Sequence, residues 1–235
     1  MLILIGGSLA LLGLVCWLTY ASAQLLQRWE PDVNLLLAPV ENLARLAIIA
    51  LCLLVGLASG VPATRLGWAS SALWLDVALG LSFGLIVQVA VNWLTLRAVN
   101  TFGQDVYSPR VMKAILPRSP REQLLVPLAL LPAALLEELL FRSLLLGGFS
   151  LFAPPLLLAV VFSLLFGLMH APQGRFGIVV TAVVGFLLCL LFLWRWSLLP
   201  PMVAHYAINI LQLRTAEAQG DWLEYRRPSD GRPDS

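Results

Sequence analysis

Seven apolar runs dominate this chain, at about 1–26, 42–62, 70–96, 124–148, 152–171, 176–196 and 199–213. A bilayer core about 30 Å thick takes roughly 20 apolar residues as a helix. Lipid offers no partner to a bare backbone N–H, so such runs cross as helices. The expected fold is all-α, a polytopic transmembrane helix bundle of about seven spans, the last one short and only moderately apolar. Composition agrees: 60% of the 235 residues are hydrophobic and 12% are charged, where a soluble domain carries about 25%. The net charge of +2 is spread over loops, which leaves no basic face for nucleic acid. The partners that composition leads one to expect are membrane lipids.

Lysine and arginine set an orientation through the positive-inside rule. In a seven-span arrangement twelve of them, from Arg28 to Arg232, fall on one side, Arg65 and Arg195 fall on the other, and Arg142 lies within a span. The expectation is an integral membrane protein, in the cell inner membrane if the source is a bacterium, with the N-terminus outside and the C-terminus cytoplasmic. Residues 1–100 read as three N-terminal spans, 101–123 as a cytoplasmic basic loop, 124–214 as a four-span core, and 215–235 as a mobile tail. A short interfacial helix and an ordinary basic loop fit the 97–123 segment equally well. The first span is read as a retained helix, because residues 1–15 lack the basic stretch of a secretory signal. Cys16, Cys52 and Cys189 are odd in number and lie within apolar runs, so they read as packing residues. Gly56 with Gly60, and Gly80 with Gly84, have GxxxG spacing for close helix approach. Asp76, Gln88 and Asn92 read as bridges to neighbouring helices or residues near an interface, ahead of a lining for a water cavity.

One stretch resists the apolar pattern: Glu137-Glu138-Leu139-Leu140-Phe141-Arg142, inside the fourth run. An ionised side chain at the membrane midplane costs between about 2.5 and 17 kcal/mol, so three in six positions need a reason. At about 100° per residue, Glu138 and Arg142 share a helix face one turn apart and can pair. Glu137 points roughly 140° from Arg142 by the same periodicity, and has no partner on its own helix. A spare carboxyl suits a group that takes and returns protons.

Two other late spans carry the chain's two histidines. His170 follows Phe166 by four residues at the end of the fifth run, and His205 precedes Asn209 by four in the seventh. An intramembrane Glu or His is a functional candidate by default. A carboxylate and an imidazole can hold a water and take its proton, while a second imidazole and an amide can donate to an oxyanion. Glu137, His170 and His205 also make a two-His, one-carboxylate zinc set, and residue types alone leave both chemistries open. The plainer reading of each feature is a helix-packing lock or an interhelical hydrogen bond. Zinc helices of the HExxH type, GxSxG serine elbows and paired intramembrane aspartates are all missing.

The ordered motifs EExxxR, FxxxH and HxxxN resemble those of the CAAX protease and bacteriocin-processing (CPBP, or Abi) family of intramembrane proteases. The likeness spans about 121–214, including Phe166-Gly167-Leu168-Met169-His170 and Ser197-Leu198-Leu199-Pro200-Pro201-Met202-Val203-Ala204-His205. It implies that Glu137 activates water with His170, that His205 and Asn209 stabilise the oxyanion, and that Glu138, Arg142 and Phe166 support them. Members of the family have been described both as metalloproteases and as metal-free glutamic proteases, and zinc enters only on the first view. Ser143 stands where glycine is frequent, with no expected effect on chemistry.

The resulting expectation is an endopeptidase that cleaves a peptide bond of a membrane-associated substrate in a site open to the cytoplasm. The competing class is a non-catalytic membrane protein: an immunity factor, scaffold or transporter accessory. One tension remains within the expected helices. At 1.5 Å per residue Glu137 lies about 20 Å inside its span, while His170 ends the fifth. Kinking at Pro127 and Pro132, or a fifth helix too short to cross, would bring them together.

Overall fold

The computed structural model describes residues 1–29, 31–103 and 108–218. Val106 and Tyr107 of the basic loop, and the tail from 219 onward, lie outside the described residues. All described regular structure is helical: α1 (Leu2–Arg28), α2 (Pro39–Ala58), α3 (Leu73–Phe102), α4 (Pro109–Ile115), α5 (Pro120–Glu138), α6 (Pro155–Met169), α7 (Arg175–Arg195) and α8 (Leu199–Ala218). The helix α5 continues without a break as a π-helix over Leu139–Gly148.

Local signals account for the boundaries. Pro occupies the first turn of α2, α4, α5 and α6, where its missing N–H costs nothing. Ser119 caps α5 by accepting from the Glu122 N–H at 3.2 Å. Gly103 and Gly174 take positive φ just past α3 and before α7, turns that a side chain would strain.

Among the described residues, five helices are long and apolar enough to cross a membrane: α1, α2, α3, the joined Pro120–Gly148 rod, and α7. The chain is an integral membrane protein. Two of the seven expected spans fall short of that mark. The 15 residues of α6 reach only about 22 Å, and the 20 residues of α8 include His205, Asn209, Gln212 and Arg214. Successive connections alternate between two ends of the bundle. At one end Asn34 Nδ2 donates to the Ile115 and Leu116 carbonyls, and Ser108 N–H to Gln173 O. At the other, Leu198 N–H donates to Gly67 O and Arg195 pairs with Asp76 at 2.7 Å.

The π-helix is the central rod. All ten of its residues are buried, as a segment with apolar neighbours on every side must be. Around it, α3 packs closely on α8 and α6 on α7. Glycines allow the first contact: a Cβ on Gly80 would stand 2.7 Å from Pro200 O, and one on Gly84 2.8 Å from Ala204 O. The other GxxxG pair works differently. Gly56 makes room for the Trp68 ring, and Gly60 takes φ +72° in a turn, so this pair joins no two helices. The polar residues of α3 do bridge helices. Asp76 reaches Arg195, Gln88 Nε2 donates to Gln212 Oε1 at 2.7 Å, and Asn92 Nδ2 to Thr215 Oγ1 at 3.4 Å.

The α3–α8 seam holds the helix that carries His205, so its fit has a testable consequence. Gly84→Val sets methyl groups against the α8 backbone, which cannot step aside as a flexible side chain would. Overpacking of this kind costs about 1–3 kcal/mol. Thermal unfolding in detergent should show Gly84→Val melting below wild type; an unchanged midpoint contradicts the close approach.

Candidate active site

The two consecutive glutamates are treated very differently by the fold. Glu138 is fully buried, and its Oε1 accepts from Arg142 Nη1 at 2.8 Å and from His205 Nδ1 at 2.7 Å. The carboxylate therefore ties α5, the π-helix and α8 at one oxygen. Arg142, 1% exposed, spends a second amino group on Gly185 O of α7 at 3.1 Å. Its guanidinium also lies over the Phe166 ring, 4.7 Å from the centroid, a favourable cation–π geometry. A charge this deep is tolerable only when paired and hydrogen-bonded; both amino groups of Arg142 are engaged, while its Nε and Glu138 Oε2 have no partner among the described residues.

Glu137 has none of these ties. Its side chain is 28% exposed, and its Oε2 is buried without a hydrogen-bond partner among the described residues. The nearest cationic or imidazole nitrogen is His205 Nε2 at 3.6 Å. That separation is too long for a hydrogen bond, yet one water can touch both atoms. Glu137 faces the interior of the bundle and not lipid.

The two histidines flank the same phenyl ring. Phe166 lies 4.7 Å from the His170 ring and 6.0 Å from the His205 ring, centroid to centroid. His170 Nδ1 stands 2.7 Å from Phe166 O. A carbonyl can only accept, so Nδ1 carries the hydrogen, and Nε2 of a neutral ring is left as an acceptor. His170 caps the short helix α6, so the chain turns back at the level of the site. The depth mismatch is met by this early stop, while α5 stays helical through Pro127 and Pro132.

Not everything converges. His170 makes no direct hydrogen bond to Glu137. Asn209, half-buried one turn beyond His205, has no hydrogen-bond partner among the described residues. Nor do any three His, Cys, Asp or Glu side chains among the described residues stand close enough to share a metal ion. As placed, Glu137, His170 and His205 are not gathered as a three-donor set, although Glu138 at Nδ1 leaves His205 Nε2 free.

Three participants escape a sequence reading. Gly185, in the middle of a leucine-rich span, lets Phe166 approach; a Cβ there would meet the ring at 3.0 Å. Ser143 is fully buried and accepts from Trp68 Nε1 at 2.8 Å, which pins the 59–72 connection to the central rod. The π-helix follows the glutamate pair immediately, and π-type turns are frequent at functional sites. Gly185 left a trace as a residue without a side chain in a span of bulky ones, and Ser143 left one as a serine where glycine is frequent.

With this geometry in view, comparison with known proteins becomes informative. Residues 120–211 match the family model described as type II CAAX prenyl endopeptidase Rce1-like. The chain carries an Rce1-like domain. That domain begins at the first residue of α5 and contains every residue of the Glu–Arg–His cluster. It belongs to a protease family, consistent with a CPBP intramembrane protease. No curated protein and no solved structure matches the chain.

Proposed function

We propose that this chain is an intramembrane endopeptidase that hydrolyses a peptide bond of a membrane-associated peptide or protein with water activated by Glu137 and His170. The observation that carries the reading is the division of labour between neighbouring carboxylates. Glu138 spends its Oε1 on Arg142 and on Nδ1 of His205, while Glu137 makes no hydrogen bond to a described side chain and stands 3.6 Å from the outer nitrogen of His205.

In this reading a water lies against Glu137 Oε2 and gives up its proton as it attacks the carbonyl. His170, with Nδ1–H held by the Phe166 carbonyl, turns Nε2 toward the reaction and shares that proton. His205 stabilises the oxyanion, with a condition attached. Glu138 holds Nδ1–H, so Nε2 can donate only when the ring carries both hydrogens. Asn209 adds a second donor on the same face of α8. The proposed steps use Glu137, His170, His205 and Asn209 alone. The Arg-rich end of the bundle, nearest His170, is the cytoplasmic one, and the site opens there.

A prenylated Cys-a-a-X peptide and an unmodified membrane peptide are the two substrate types to offer the purified protein. His170→Ala and His205→Ala should each lower hydrolysis by about 10²–10⁴-fold. His170→Ala should leave the fold intact. Hydrolysis at wild-type rates by either variant refutes the assigned roles. Cleavage of the prenylated peptide alone would make the lipid part of the recognised substrate; cleavage of both would make the membrane segment enough.

A further inference from the structure

A cavity of about 490 Å³ lies at the Arg-rich end of the bundle, and none of its lining residues belongs to the Glu–His cluster. Its wall takes Arg28 and Trp29 from the end of α1, Arg110 and Lys113 from α4, and Arg118 from the turn before α5. Four cations thus converge from three segments, with Asp32 as the acidic lining residue. Arg28 and Arg110, which form no ion pair with a described residue, carry the argument; the Arg118 N–H donates to Glu122 Oε2 at 2.7 Å, its Nη2 donates to the Lys113 carbonyl at 3.5 Å, and Lys113 has a partner of its own. Like charges gathered around one hollow repel, and the arrangement pays off when an anion sits among them.

We infer that this cavity binds the phosphate of an anionic phospholipid headgroup. Four cations suit a phosphate, which offers several acceptor oxygens. The size fits a small polar headgroup. Position favours a lipid over a free ion: Trp29, 44% exposed, stands at the rim beside Leu25, 54% exposed. An exposed Trp at a helix end marks the membrane interface. The outward apolar face of α1, with Trp17 and Tyr20, offers a track for acyl chains below the headgroup. Basic pockets beside membrane helices bind anionic headgroups by this combination. The inference is independent of the peptidase reading, because no pocket residue belongs to the Glu–His cluster.

The test is native mass spectrometry of the full chain, delipidated in detergent and titrated with phosphatidylglycerol or with phosphatidylcholine of the same acyl chains. Wild type should retain phosphatidylglycerol preferentially. Each cation near an anionic headgroup is worth about a fivefold change in affinity, so Arg28→Gln with Arg110→Gln should weaken retention about tenfold or more. Arg65→Gln, at the opposite end, should change nothing. If the double variant unfolds early, Arg110→Gln alone carries the test, since that side chain is exposed. Equal retention of the two lipids, or of phosphatidylglycerol by wild type and variant, overturns the inference. So does inorganic phosphate binding as tightly as the lipid, which would mark a free-anion site.

Discussion

Glu137→Gln should reduce peptide hydrolysis by about 10²–10⁴-fold while leaving the protein as stable as wild type. The substitution removes a base and keeps the shape. It touches a side chain that is 28% exposed and makes no hydrogen bond through Oε2. Changes at such positions usually stay within about 0.5 kcal/mol, or about 2 °C in unfolding temperature for a chain of this size. Rates on a reporter peptide, with thermal unfolding in the same detergent, give both numbers. Retained activity would end the hydrolase reading. Loss of fold together with loss of activity would favour a structural role and the non-catalytic class.

Glu138→Ala should behave in the opposite way. It strands the Arg142 guanidinium in a site 1% exposed and takes the anchor from His205 Nδ1. Breaking a buried pair from one side costs about 3–5 kcal/mol, which corresponds to a fall of about 6–20 °C. The loss arises because the remaining charge has nothing to replace its partner. Removing both charges together, as Glu138→Gln with Arg142→Met, should therefore recover part of the stability. Activity should stay low even in the recovered protein, because His205 is no longer aimed. A Glu138→Ala protein that melts with wild type would show that the ion pair does not hold the bundle.

The contrast between these neighbours shows what sequence alone could and could not convey. Helical periodicity separated Glu137 from Glu138, because one side chain faces Arg142 and its neighbour does not. The i,i+4 pair survives even though the rod becomes a π-helix at Leu139, a change that no residue pattern announces. Periodicity is silent on contacts between helices, so the Glu138–His205 bond had no signal. It joins residues 67 positions apart and depends on how α8 seats against α3. The seat itself was half visible, since Gly80 and Gly84 marked a close approach without naming the partner. Gly56 carried the same spacing and turned out to face Trp68, because small residues serve rings as readily as backbones. Apolarity located the long helices and left the short α4 undecided; α6 misses the mark of a full span by its length and α8 by its polar face. The polar face of α8 is the one that bears His205 and Asn209.

The most direct measurement compares peptide termini in membranes that contain wild-type protein with those in membranes that contain equal amounts of Glu137→Gln. A water-activating Glu137 predicts a set of new termini with wild type that is absent with the variant. The same termini in both membranes, at the same abundance, would contradict it.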